Sequence, residues 1–144
     1  MRRSKTLSAM ALLAGLVSPA FAAQVEVSHA WFRALPAGLP AGGYFRLHNS
    51  GASEAVLTGV QSPACGMLML HESSESGGMG RMKMVESVRV PARGMVAFKP
   101  GGYHLMCMKP AAAMKPGAEV GVTFSFADGT KTIARFAVKN AKGE

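Results

Sequence analysis

From residue 24 onward, Gly, Pro, Asn and Asp interrupt the chain at short, regular intervals, and no long helical repeat fits between them. This punctuation limits the fold to short extended segments joined by turns. Gln24–Val27 alternates apolar and polar residues and runs on towards Trp31. A loop marked by Pro36, Gly38 and Pro40 ends in Gly42-Gly43, and alternation resumes from Tyr44 to His48. Asn49-Ser50-Gly51 is a turn signal, Ala55–Val60 a further strand, and Gly66–His71 alternates weakly. Glu72–Gly80 is polar and Gly-rich, hence a loop or open hairpin. Met82–Val90 returns to period two, Pro91–Gly94 turns, and Met95–Phe98 is short. Lys99-Pro100-Gly101-Gly102 leads into Tyr103–Met108. Val120–Phe126 and Thr132–Val138 flank Asp128-Gly129, a hairpin signal, and only Pro110–Pro116 has room for a helical turn, kept short by its prolines. The count of eight or nine short strands predicts an all-β sandwich or barrel, with no internal repeat and no linker.

The N-terminus follows a different pattern. Arg2, Arg3 and Lys5 precede an apolar stretch from Leu7 to Val17, and Ala20-Phe21-Ala22 supplies a small-x-small cleavage site. Residues 1–22 are expected to be a cleaved secretory signal peptide, leaving residues 23–144 as one domain. The apolar stretch falls short of the roughly 20 residues that span a bilayer. The formal net charge of +8 drops to +5 once Arg2, Arg3 and Lys5 leave. The remaining basic residues are spread out, without the clusters and interleaved aromatics of a nucleic-acid protein. Mild basicity fits solubility, an acidic partner or an anionic membrane surface, and decides little. Cys65 and Cys107 are a pair that an oxidising compartment would bond if they lie close. Their spacing matches neither a CxxC motif nor a structural zinc site, and the sequence leaves the bond open.

Of the 11 methionines, all those after the leader lie between Met67 and Met114. Packing alone would scatter them along the chain. Among them stand His71, Met82, His104 and Met106, spaced H-x10-M-x21-H-x-M. Residues two apart on a strand share a face, so His104 and Met106 project together. His71 closes a strand before the 72–81 loop and Met82 opens the strand after it, as the two arms of a hairpin. A neighbouring His104 strand, about 4.8 Å away, would bring all four ligands to one ion. Two imidazoles and two thioethers are a poor site for Ca²⁺, Mg²⁺ or Zn²⁺ and suit Cu(I). Met84 and Met108 share the required parity and are the next candidates. Met67, Met69, Met95 and Met114 are read as core or rim, and His29 and His48 as ordinary surface or hydrogen-bonded histidines.

The motif resembles that of the periplasmic copper chaperones of the PCuAC family, and its flanks do too. Leu70-His71-Glu72, Met82-Lys83-Met84 and Lys99-Pro100-Gly101-Gly102-Tyr103-His104-Leu105-Met106 surround the ligands. Trp31-Phe32-Arg33 is similar to the family's W-x-R strand, Tyr44 with Asn49 to its Y-x4-N segment, and Phe124-Ser125-Phe126 with Asp128-Gly129 to its last hairpin. The resemblance implies a cupredoxin-like Greek-key β-sandwich in the periplasm that holds one Cu(I) through His71, Met82, His104 and Met106. It further implies delivery to the CuA centre of cytochrome c oxidase subunit II, alongside Sco-type copper proteins. The chain ends in Lys139-Asn140-Ala141-Lys142-Gly143-Glu144, without the His- and Met-rich extension by which some members take Cu(II).

Alternation places Cys107 away from the ligand side and gives Cys65 the parity of His71, about 20 Å along an extended strand. Neither is expected to ligate. One rival reading is a blue-copper electron carrier, which needs a Cys thiolate with two histidines. Another is a non-metal interaction module with methionine packing. No paired carboxylates, activated nucleophile or open zinc motif argues for an enzyme.

Overall fold

The computed structural model describes residues 24–76 and 78–144, with the side chain of Ser76 left aside. The expected leader, residues 1–22, lies outside the described residues. Ten strands follow in chain order: β1 (Val25–Arg33), β2 (Ala41–Asn49), β3 (Ala55–Gln61), β4 (Cys65–Ser76), β5 (Met79–Met84), β6 (Val88–Val90), β7 (Met95–Phe98), β8 (Tyr103–Pro110), β9 (Glu119–Phe126) and β10 (Lys131–Lys139). The helical content among the described residues is one 3-10 turn at Pro36–Gly38, and Pro110–Pro116 forms turns instead. None of these residues forms a helix long and apolar enough to cross a membrane.

The strands pair in the order β5-β4-β8-β2-β1-β10-β9-β3-β6, with β7 on the second half of β2. Most neighbours are antiparallel; β1 and β10 run parallel. This path is open, yet it folds over on itself. Strands β2 and β9 are three places apart, about 14 Å in a flat sheet, but the Phe45 and Phe124 ring centroids are 5.1 Å apart. The fold is the expected all-β, cupredoxin-like sandwich with ten strands in place of eight or nine. The core lies between the folded halves and contains Phe32, Phe45, Leu47, Leu57, Val90, Leu105, Val122, Phe124 and Phe136, all at most 2% exposed. Phe45 stacks on Phe98 at 4.2 Å. Gly43 is required where β2 passes between two of these residues. A Cβ there would meet Phe32 Cε1 at 2.7 Å and Leu105 Cβ at 2.9 Å.

Three boundaries differ from the sequence expectation. The polar 72–80 segment is mostly strand: β4 runs on to Ser76 and β5 starts at Met79, so the hairpin is long. Polar residues suffice there because the arms reach beyond the core. The expected strand Met82–Val90 is two strands, β5 pairing with β4 and β6 with β3. In β1 the register on β2 shifts between Ser28 and Trp31, and His29 takes φ 52°. This bulge reverses the alternation, so Val25 and Phe32 both face the core although their numbers differ in parity.

Candidate metal centre

β4 is the middle strand of the site, flanked by β5 and β8. His71 lies directly opposite His104 on β8 and opposite Met84 on β5. Met82 lies opposite Ser73, one same-face step nearer the hairpin tip, and Met106 opposite Met69. Paired residues share a face, so the His71, Met82, His104 and Met106 singled out by their spacing all project from one side of three adjacent strands. His71 sits within β4 instead of at its end, since the strand continues five residues further.

The two histidines meet edge to face, with ring centroids 5.7 Å apart. His104 is 5% exposed. Its Nδ1 lies 3.2 Å from the Gly102 carbonyl oxygen, which requires Nδ1 to carry the proton and donate it. The tautomer so fixed leaves a lone pair on Nε2, and this Nε2 is buried without a hydrogen-bond partner, as is His71 Nδ1. An unmet buried nitrogen costs about 1–3 kcal/mol. Two of them on directly paired residues are what a metal ion would satisfy. Burial holds the His71 pKa below its ordinary value of 6.5, and the neighbouring His104 lowers it further. Both effects favour the neutral ring that ligation needs.

The turn before β8 sets the Gly102 carbonyl. Gly102 N–H donates to the Lys99 carbonyl at 3.0 Å, Pro100 occupies the second position, and Gly101 takes φ +85°. A type II turn demands this Pro-Gly order. Ser73 N–H donates to the Gly102 carbonyl at 3.0 Å, which ties the turn to β4. On the reverse face, Lys83 pairs with Glu72 at 3.3 Å across the hairpin.

Burial separates the methionines. Met114 is in the core, and Met69, Met106 and Met108 are half-buried. Met67, Met79, Met82, Met84 and Met95 are 54–68% exposed. Of the methionines expected in the core or at its rim, Met114 lies in the core and Met67, Met69 and Met95 lie outside it; on β4 this is because Leu68 and Leu70 take the inward positions. Spacing alone also did not single out Met84 as the residue facing His71; the hairpin register makes that pairing. His29 is exposed beside Ser28, and His48 pairs with Met95 away from the site.

Cys65 and Cys107 are joined in a disulfide between β4 and β8. Strict alternation put Cys65 outward. Lys109, next to Pro110 that pairs with Cys65, takes φ 49°; near this strand end Cys65 turns inward to its partner. With both cysteines bonded, the described residues supply no thiolate, and a blue-copper centre lacks its defining ligand. Among them there is also no group of three or more His, Cys, Asp or Glu that could hold an ion. The donor set is imidazole plus thioether.

The LpqE-like family model matches residues 25–138, and the chain belongs to that family. A protein of Leifsonia xyli subsp. xyli, named "Putative lipoprotein Lxx21020", is 33% identical over 120 residues, covering 83% of this chain and 72% of that one. Apo-DR1885 from Deinococcus radiodurans has a similar solution structure, with a TM-score of 0.63 at 30% identity over 97% of this chain and 95% of that one. Its Cu(I) form matches at 0.64 and 29%, over 88% and 83%. The copper-bound PCuAC domain from PmoF2 shares the fold at a TM-score of 0.66 and 20% identity, over 81% and 93%.

Proposed function

We propose that this chain is an exported carrier that holds one Cu(I) at His71, Met82, His104 and Met106 and surrenders it to an acceptor protein. The observation that carries the reading is the facing pair His71–His104, whose buried unpartnered nitrogens lie on a surface lined with thioethers. Imidazole and thioether are soft, neutral donors suited to Cu(I), and thioethers survive where free thiols would oxidise. Copper is the cargo, and this chain's residues bind, orient and release it. The Gly102 carbonyl orients His104, while Met82 and Met106 approach from the two sides. Exposed Met82 is the ligand an incoming acceptor would displace first. An acceptor presenting thiolates then gains the ion by stepwise ligand exchange, with no catalytic step.

The Cu(I)-bound form of DR1885 and the copper-bound PCuAC domain support the cargo. The lipoprotein relative and the leader pattern of residues 1–22 support export to the periplasm. Resemblance to the PCuAC chaperones supports, as the acceptor to be tested, the CuA centre of cytochrome c oxidase subunit II, with a Sco-type protein as co-worker. Mixing the Cu(I)-loaded protein with the apo CuA domain tests this. The account expects the CuA visible bands to develop on transfer and subsequent oxidation. Retention of all copper by the carrier, with or without a Sco-type protein, would rule out that acceptor.

A further inference from the structure

The outward face of β4 and β8 carries more sulfur than one four-ligand site uses. Beyond the His71–His104 pair, register sets Met69 opposite Met106 and Met67 opposite Met108. These side chains alternate with Leu68, Leu70, Leu105 and Cys107, which belong to or pack against the core. Met67 is 58% exposed, and Met69 and Met108 are half-buried. Core packing therefore does not explain them. An outward strand face ordinarily carries polar or β-branched residues; here unbranched thioethers occupy two consecutive rungs on both strands.

We propose that Met67, Met69 and Met108 form a second, all-thioether station for a soft monovalent ion, beside the His71–His104 centre. The proposal rests on the reading above only in assigning Met106 to the first ion. Opposite side chains on paired strands have Cβ atoms about 4.5–5.5 Å apart, and successive same-face residues are about 6.8 Å apart. Methionine has three rotatable bonds and a polarisable sulfur, so three such chains can close on a point between the rungs. A neutral thioether set selects Cu(I) or Ag(I) over harder ions. Its exposure makes it an entry or exit position for the cargo, with Met69 on the same rung as Met106 and Met67 and Met108 one rung further. Lacking imidazole, it holds the ion less tightly than the first centre does.

Ag(I) is a suitable probe because it is soft, monovalent and not oxidised in air. The protein, labelled with ¹³C at the methionine methyls, is titrated with Ag(I) and followed by NMR. Two equivalents are expected, the first shifting Met82 and Met106 and the second shifting Met67, Met69 and Met108. Combined M67L, M69L and M108L substitution should abolish the second set of shifts and keep the first. Met67→Leu alone, at an exposed position where folding is not at stake, should weaken the second equivalent without affecting the first. A wild type that stops at one ion would overturn the proposal, as would a second ion that survives the triple change or shifts only Met79 and Met95. If the second set of shifts occurs and the first does not, the four-ligand reading fails and the station stands.

Discussion

At the scale of single residues, His71 and Asn49 show how differently two polar groups can be used. The folded chain binds the His71 proton more weakly than the unfolded chain, because burial and His104 lower its pKa from 6.5. Below pH 6.5 the unfolded state therefore takes up more protons, and stability of the metal-free protein falls as pH drops into the lowered folded value. Cu(I) affinity should follow the same direction, level near neutral pH and falling as the pH drops into the lowered folded value. Titrations at pH 5, 6 and 7.5 would check this; equal affinity at all three would remove His71 from the ligand set. Asn49 is 1% exposed and fully engaged. Its Nδ2 donates to the Ser53 and Val90 carbonyls at 2.8 and 3.2 Å, and its Oδ1 accepts from Gly51 N–H at 2.9 Å. Asn49→Ala strands those groups and should cost about 2–4 kcal/mol in a urea unfolding experiment, leaving copper affinity intact. The sequence marks Asn49 as a turn former, but its long-range tie to β6 is invisible there because the partner is a backbone carbonyl 41 residues away.

At the scale of elements, two features support the ligand strands. The Cys65–Cys107 disulfide joins β4 to β8 across a sequence separation of 42. Replacing both cysteines by Ala should lower stability by about 2–4 kcal/mol through the freed loop, measured as a fall in the urea midpoint. The Pro100-Gly101 turn positions the carbonyl that orients His104. A Cβ at Gly101 meets nothing within 4 Å, so Gly101→Ala acts through its φ of +85° and should cost about 1–2 kcal/mol. It should also weaken Cu(I) binding by letting His104 swing. Unchanged affinity would mean that the Gly102 bond does not orient the ring. The sequence locates both elements but not their consequences. Alternation assigns Cys107 inward correctly and Cys65 outward wrongly, since the positive φ at Lys109 lies on the paired strand. The bulge at Ser28–Trp31 has the same origin: no residue type in β1 announces the extra residue, and parity counted from Val25 fails by Phe32.

At the scale of the whole molecule, turn punctuation and period two are enough to specify an all-β sandwich, because strands this short must pair widely to bury a core. What they do not specify is which strand lies beside which. Placing β8 next to β4 requires a connection across the sandwich, and that adjacency is what turns a spacing of H-x10-M-x21-H-x-M into a face. The candidate residues His71, Met82, His104 and Met106 are legible because soft donors are chemically distinctive. Of the surplus thioethers, parity singles out Met108 but leaves Met67 and Met69 to core or rim, because exposure cannot be counted from composition. The fold thus supplies a two-layer support with its His/Met face turned outward, an arrangement suited to the proposed holding and handing over of an ion. The most direct test is a Cu(I) competition titration under reducing conditions, with wild type beside His104→Ala and Met106→Ala. The account predicts tight binding of the first equivalent, weakened in both variants. A wild type that binds no Cu(I), or a first equivalent indifferent to both substitutions, would contradict it.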